Sequence, residues 1–454
     1  MDTQLATIQT TLEIKTAESN SCADLVPRKE EQQEKNPNTR EFKHATTDFE
    51  TFLHIIKASL GSGLLATPDA FKNAGIALGL IGTAMAVAAI THTTAMLVRN
   101  SQTLCYMLKK PFLTYFETAE YAFEYGNLPA AKGHGGLARR FVKLFSLITY
   151  YGVNTIYMVL IASTIKQLVE TRIDTQWNIR WYILLALIII LPVGVIKLMK
   201  FLAPFSAFAN VCLFGGLGII LCRILRDLPP VSSRPLVAPI EKIPLFISTI
   251  LFGCEGIGIV LPAENEMKNP DHFLGWTGVL SWSMFCIGIS NAIVGFFGYL
   301  KFGDEVQGSI SLNMQDDWIS ELVKILIALA ILFSYGLQMT VTSEVVWDSV
   351  KDRFHKDNSK KAYYCVRSSL VVGTAVVAAV IPNLAPIISL FGAVGFSMMG
   401  LFCPAVIDLV LYYDPERGWT DWRCLKNILL MLAALAATLL GTYSSMVDII
   451  TNYE

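Results

Sequence analysis

The chain has 454 residues, of which 53% are hydrophobic and only 16% are charged, and its net charge is −1. Soluble globular proteins carry about 25% charged residues, so this composition excludes an ordinary soluble domain and indicates an all-α protein with several membrane spans. The near-neutral charge gives no indication of a nucleic-acid partner. The scattered cysteines form no Cys-x-x-Cys pair, which argues against a structural zinc site.

The first segment, residues 1–47, is polar, carries charges of both signs and lacks apolar periodicity. Such a composition cannot bury enough apolar surface to fold, so we predict a disordered cytoplasmic tail. The segment also lacks the short basic start and apolar core of a cleavable signal peptide.

Eleven apolar segments follow, each long enough to cross a hydrocarbon core of about 30 Å. They are predicted at Phe49–Ala74, Ile76–Val98, Phe141–Thr164, Trp181–Met199, Leu202–Cys222, Pro244–Met267, Leu274–Leu300, Ile319–Val346, Tyr363–Ile381, Ile387–Tyr412 and Leu425–Ile449. Between the second and third, Leu113–Glu124 predicts a short amphipathic helix in a loop. Lys and Arg are most frequent in the loops on the side of the tail, so the positive-inside rule predicts a cytoplasmic N-terminus and a non-cytoplasmic C-terminus.

Two of these segments contain residues that interrupt a membrane helix. The first has Gly61-Ser62-Gly63 followed by Pro68, and the sixth has Gly256 and Gly258 followed by Pro262. Interrupted helices at matching places in two halves are typical of an inverted repeat. We therefore predict a five-plus-five architecture with helices 1 and 6 broken. Its parts are residues 48–222, residues 243–412, and an eleventh span within 413–454.

A broken helix at membrane depth exposes backbone groups that can bind a small zwitterion. The N–H groups that begin the second half-helix attract a carboxylate, and the carbonyls that end the first half-helix accept bonds from an ammonium. The candidate binding residues are Gly61, Ser62, Gly63, Phe252, Cys254, Glu255, Gly256 and Gly258. The alternative is that these glycines only allow helices to pack closely.

Two residues are candidates for carrying a proton. His54 precedes the first break by two helical turns, and histidine changes its charge near neutral pH. Glu255 lies within the second break, where a carboxylate at membrane depth indicates a functional site. Each has a structural alternative: His54 as an interfacial residue that stays neutral, and Glu255 as an acceptor for the N–H groups that the break exposes.

The two broken segments resemble a known family. HIIKASLGSGLLATPDAFKNAG and FGCEGIGIVLPAENEMKNP resemble the proton-coupled amino acid transporters, solute carriers of the amino acid/auxin permease group. LAPFSAFANV and YGLQMTVTSEVV are similar to that family too. The resemblance implies an eleven-span fold and symport of a small neutral amino acid, of the alanine, glycine or proline type, with a proton as the only coupling ion and no other cofactor.

The resemblance also implies roles for individual residues. Gly61, Ser62 and Gly63 would bind the substrate carboxylate, Phe252–Gly256 would line the pocket, and His54 would take part in proton coupling. The chain departs from the family pattern at Ala58-Ser59-Leu60 and at Cys254, and its outer loops lack the cysteine pair found in some relatives.

Other functions stay open at this point. An uncoupled uniporter would use the same fold, and an amino-acid sensor would signal through the tail. The sequence contains no His-Glu-x-x-His, Gly-x-Ser-x-Gly or P-loop motif, which argues against an enzyme or an ATP-driven pump. The expected surroundings are the lipid of the plasma membrane or of a lysosomal or endosomal membrane, and the sequence predicts no oligomeric state.

Overall fold

The computed structural model describes residues 45–173, 176–196, 199–254, 256–315, 317–355 and 358–451, with the helix but not the side chains at 199–207. The predicted tail lies almost entirely outside these residues, and so does Glu255. Within them the chain is helical, apart from turns, loops and one isolated bridge between Thr46 and Met267. The predicted all-α membrane fold is thus confirmed.

The first half of the chain begins with two short helices in place of one continuous span. These are α1 (Asp48–Ser59) and α2 (Ser62–Ala74). The elements that follow are α3 (Ile76–Leu108), α4 (Tyr115–Tyr125), α5 (Gly135–Glu170), α6 (Ile179–Val195) and α7 (Met199–Ile224). Helix α4 is the short loop helix expected from the sequence.

The second half begins in the same way. Helices α8 (Ile243–Gly253) and α9 (Ile257–Asn265) divide the sixth span. They are followed by α10 (Val279–Phe302), α11 (Trp318–Val350), α12 (Ser359–Val380) and α13 (Leu384–Phe391). Two π-helical turns, Gly392–Phe396 and Met398–Phe402, lead into α14 (Cys403–Leu411), and α15 (Trp422–Thr451) is the last span.

The number of spans agrees with the sequence prediction. Among the residues described, eight helical stretches are long and apolar enough to cross a membrane, and α6 and the 208–224 part of α7 are shorter apolar helices. With the interrupted pair α1–α2, the total is about eleven. Helix α3 continues to Leu108, beyond the predicted end at Val98, because apolar periodicity marks only the part of a helix that lies in hydrocarbon.

The two broken spans run in opposite directions. At the start of α1, Thr46 N–H donates to the Glu266 carbonyl (2.8 Å) and Lys268 N–H donates to the Thr46 carbonyl (3.0 Å), just after α9 ends. At the end of α2, Ala238 N–H donates to the Ala74 carbonyl (2.7 Å), a few residues before α8 begins. The start of each broken span is therefore fastened beside the end of the other, as an inverted repeat requires.

Helix α2 lies at the centre of the bundle, and every residue in it except Lys72 is buried. Its Phe71 ring fits between Gly79 of α3 and Gly295 of α10, where an added Cβ would lie 2.6 Å and 2.4 Å from the ring. Small residues at such positions let membrane helices approach closely. The packing holds both breaks in the interior of the protein.

Candidate functional site

The first break separates α1 from α2 at Leu60 and Gly61. Leu60 N–H still bonds the Ile56 carbonyl (2.8 Å), and α2 then begins after Gly61, which has no side chain to cap the helix. The N-terminal N–H groups of α2 therefore lack a side-chain cap and carry the partial positive charge of a helix start. Beside them, the buried Ser62 hydroxyl has no hydrogen-bond partner among the described residues.

The second break has the same form. Helix α8 ends at Gly253, Cys254 is buried, and α9 begins after Gly256, again without a side-chain cap. A Cβ at Gly256 would lie 2.8 Å from the Ser59 hydroxyl oxygen, which is itself buried and has no partner in the described chain. The last residue of α1 thus faces the start of α9.

The two breaks lie against each other. A Cβ at Gly63 would lie 2.8 Å from the Gly253 Cα and 2.8 Å from the Phe252 carbonyl oxygen. Asn291 of α10 supports this contact, because its side-chain amide donates to the Gly253 carbonyl (3.2 Å) and to the Ile287 carbonyl (2.8 Å). Two half-helix starts and two half-helix ends therefore meet in one buried region.

Aromatic side chains surround this region. The Tyr157 hydroxyl of α5 lies 3.7 Å from the Cβ position of Gly61, and the Tyr150 hydroxyl occupies the space beside Gly258. The Phe252 ring is fully buried and meets Phe396 edge to face, with ring centroids 5.5 Å apart. Phe396 belongs to the first π-helical turn, and such turns are frequent at functional sites.

A large cavity opens at the face of the molecule where α2 ends, which we call the α2 face. Its volume is about 680 Å³, and we call it the vestibule. Its polar and charged lining residues are Asp69, Lys72, Asn73, Ser163, Lys166, Gln167, Glu170, Lys242, Thr249, Gln307, Asn383, Ser389 and Asp448. Gly61, Ser62, Gly63 and Phe252 do not line it, so the vestibule stops short of the breaks.

The space at the breaks themselves is small in this conformation. A cavity of about 10 Å³ lies beside Tyr150, Gly256, Gly258 and Phe396, and a space of that size holds no more than one water molecule. Any larger molecule must separate the broken spans to bind between them.

Comparison with known proteins identifies the fold and the family. The family model described as transmembrane amino acid transporter protein matches residues 44–447. The chain belongs to this family. The Drosophila melanogaster protein "Proton-coupled amino acid transporter-like protein pathetic" is 36% identical over 417 residues, covering 91% of this chain and 88% of the relative. The Arabidopsis thaliana "Amino acid transporter AVT3B" is 28% identical over 419 residues, covering 89% and 94%.

A solved structure of similar fold is the inward-facing conformation of Mhp1. Its TM-score is 0.53 at 12% identity, over 90% of this chain and 92% of Mhp1. The chain is therefore a multi-pass membrane transporter of the amino acid transporter family and not an enzyme. The family resemblance drawn from the two broken segments is confirmed.

The structure brings most of the predicted site residues of this transporter together. Gly61, Ser62 and Gly63 lie beside Phe252, Cys254 and Gly256, with Gly258 at the edge of the group, whereas Glu255 is outside the residues described. His54 does not join them. It lies on the exposed side of α1, two turns before the break, and makes no hydrogen bond to another described residue. The roles of all these residues stay predictions.

Sequence reasoning did not select Ser59, Tyr150, Tyr157, Asn291 or Phe396. Tyr150 and Tyr157 are seven residues apart in an apolar span, which places both hydroxyls on one face of a helix, and this spacing was a usable signal. Ser59 carried no comparable signal, because its importance depends on the partner break that lies beside it.

The transporter is closed at the opposite face, where α1 begins, which we call the α1 face. The backbone bonds of Thr46 to Glu266 and Lys268 lie there, and His272 adds a bond to the Asp48 carboxylate (2.7 Å). The vestibule and this closure lie at opposite ends of the broken spans.

Proposed function

We propose that this transporter moves a small neutral amino acid of the alanine, glycine or proline type together with a proton, by alternating access. The observation that carries the proposal is the meeting of two uncapped half-helix starts in a buried region. Backbone N–H groups at such starts bind a carboxylate, and carbonyls at the half-helix ends accept from an ammonium. Both charged ends of an amino acid are then held by the backbone.

The side chains around the breaks favour a neutral substrate with a short side chain. Ser59, Ser62, Cys254 and Phe252 are buried there and uncharged, and the space between the breaks is narrow. A long or charged substrate side chain would need room and a counter-charge that these residues do not offer. We therefore assign the predicted glycine, serine and Phe252–Gly256 residues to the substrate.

The difference between the two faces supports alternating access. The vestibule gives access from the α2 face, and the Thr46 pairing closes the α1 face. Transport would require the breaks to separate, the vestibule to close and the Thr46 pairing to open. With a cytoplasmic N-terminus the vestibule faces the cell exterior or an acidic organelle lumen, and both compartments provide a proton gradient directed into the cytoplasm.

For proton coupling we retain His54 and Glu255. His54 lies near the middle of α1 with its side chain on the exposed side of the helix. His54→Ala should reduce the stimulation of alanine uptake by an external acid pH, because the side chain that changes charge is removed. The measurement is the pH profile of uptake, with His92→Ala, a histidine on the exposed side of α3, as the matched control. An unchanged pH profile for His54→Ala would leave this histidine a structural role only.

The test of the whole proposal is current in a voltage-clamped cell that expresses the chain, with alanine applied at acidic and at neutral external pH. An inward current enhanced by acid supports proton symport. Labelled alanine uptake without current points to uniport. Neither current nor uptake, with surface expression confirmed, favours the sensor function.

A further inference from the structure

Asp69 is a buried carboxylate that the central site does not use. It lies in α2, eight residues after Gly61, is 7% exposed and lines the vestibule. Its carboxylate makes no hydrogen bond and no ion pair with any residue the structure describes. Burying an unpartnered charged group is costly, and within a membrane span such a group indicates a function.

Charged groups of both signs lie around this carboxylate on the walls of the vestibule. Lys72 lies one turn further along α2, Lys242 precedes α8, and Asp448 is near the end of α15. Lys166 and Glu170, at the end of α5, complete the charged lining. Three cationic and three anionic side chains on four different segments therefore surround one polar cavity, a pattern that matches a molecule carrying both charges.

We propose that the vestibule is a second binding site, for a free amino acid in its zwitterionic form, with the Asp69 carboxylate accepting hydrogen bonds from the ammonium group. Lys72 and Lys242 face the carboxylate of the same molecule. The cavity volume of about 680 Å³ lies within the range of about 300–1,000 Å³ that is usual for small-molecule sites. The inference rests on the proposed function, since it takes the transported amino acid as the ligand.

This site is separate from the one at the breaks. At 1.5 Å per helical residue, Asp69 lies roughly 12 Å along α2 from Gly61, and the vestibule lining excludes Gly61, Ser62 and Gly63. Both sites nevertheless include α2. An amino acid held at Asp69 therefore contacts the helix that must move before the central site can accept it, and the vestibule raises the local substrate concentration at that point.

The test is alanine uptake into proteoliposomes that contain the full chain, as wild type, Asp69→Asn, Asp69→Glu and Asp304→Asn. Asp304 is an exposed carboxylate at the same face that does not line the vestibule, and its variant is the control. Because hydrogen bonds to a charged group are among the stronger ones, Asp69→Asn should raise the KM for alanine by roughly tenfold or more, and by more than it lowers the maximal rate. Asp69→Glu should recover most of the affinity, and the pH profile of uptake should stay that of the wild type.

Calorimetry with alanine on the purified full chain separates this inference from the proposed function. Loss of one class of alanine binding in Asp69→Asn supports the vestibule site even if the wild type shows no proton coupling. An unchanged KM and unchanged binding in Asp69→Asn would overturn the inference. A shifted pH profile with an unchanged KM would also overturn it, since Asp69 would then hold a proton and no ammonium. If Asp69→Asn does not reach the membrane, Lys242→Gln on the facing wall provides the same measurement, and an unaltered KM there counts against the site.

Discussion

At the scale of single residues, Gly63 is where close helix packing and the proposed substrate binding coincide. The absence of a side chain lets the start of α2 lie directly on the Gly253 backbone at the end of α8. Substrate binding and close helix packing, the two explanations given for the glycines of the first span, are therefore compatible at Gly63. Close packing is the means by which two uncapped helix ends are brought to one point.

Replacing Gly63 with alanine should reduce alanine uptake by at least about tenfold. The added Cβ would lie 2.8 Å from the Gly253 Cα and 2.8 Å from the Phe252 carbonyl, and backbone atoms cannot rotate away as a side chain can. The measurement is initial uptake normalised to protein in the membrane. The control is Gly215→Ala in α7, where an added Cβ meets nothing within 4 Å. Wild-type uptake in Gly63→Ala would remove the close contact of the two breaks from the transport mechanism.

At the scale of helices, one side chain joins three spans. Arg367 of α12 is fully buried and uses all of its N–H groups. Its acceptors are neutral: Gly194 O (2.6 Å), Thr340 Oγ1 (2.9 Å), Ser343 Oγ (3.2 Å), Tyr363 Oη (3.2 Å) and Gly336 O (3.4 Å). The bonds tie α12 to α6 and α11. Helix α11 is tied in turn to α5 by the bond from Asn154 to Thr342 (3.2 Å), so these four helices are joined into one frame.

Arg367→Gln should lower the melting temperature of the detergent-solubilised protein by several degrees. Each buried acceptor left without a donor costs about 1–3 kcal/mol, and glutamine cannot reach all of these acceptors. Arg367→Lys should destabilise as well, because an ammonium has three donors and lacks the planar fork of the guanidinium. Arg140→Gln, at an exposed position near the start of α5, is the control. A melting temperature for Arg367→Gln equal to that of the control would contradict the role of this network.

At the scale of the whole molecule, the structure separates an open face from a closed one, whereas the membrane sidedness comes from the distribution of Lys and Arg alone. With a cytoplasmic N-terminus, the vestibule faces away from the cytoplasm. Ser163 of α5 lines the vestibule, and Ser146 of the same helix is buried. Ser163 therefore reports the side that the vestibule faces, and the buried Ser146 measures unspecific labelling of the same helix.

In intact cells, Ser163→Cys should react with a membrane-impermeant maleimide from outside, and Ser146→Cys should not. The chain without either substitution is labelled in parallel, because its exposed Cys222 and Cys365 contribute background labelling. Labelling is read on the isolated protein and repeated with alanine present, which should slow the reaction if the vestibule binds it. With the protein confirmed at the cell surface, reaction of Ser163→Cys only after permeabilisation would mean that the vestibule faces the cytoplasm.

The sequence was sufficient for the architecture because apolar segments and helix-breaking residues are local features. Gly61-Ser62-Gly63 and Gly256-x-Gly258 each signal a break without reference to any other part of the chain. The surroundings of those breaks were not predictable in the same way. Ser59, Asn291 and Phe396 become part of the site only through contacts between distant segments, and Asp69 looks like any other polar residue until the cavity beside it is known.

The pairing of Thr46 with Glu266 and Lys268 has a practical consequence for mutagenesis. Two of its three hydrogen bonds join backbone groups, so truncating side chains to alanine along this stretch leaves most of the fastening in place. An alanine scan would therefore score the segment as dispensable, although it holds the end of one broken span to the start of the other. Only a change that removes an N–H, such as proline at position 46 or 268, exposes its contribution. Any pull on the chain N-terminal to Thr46 therefore acts directly on the hydrogen bonds that Thr46 makes with Glu266 and Lys268 at the α1 face.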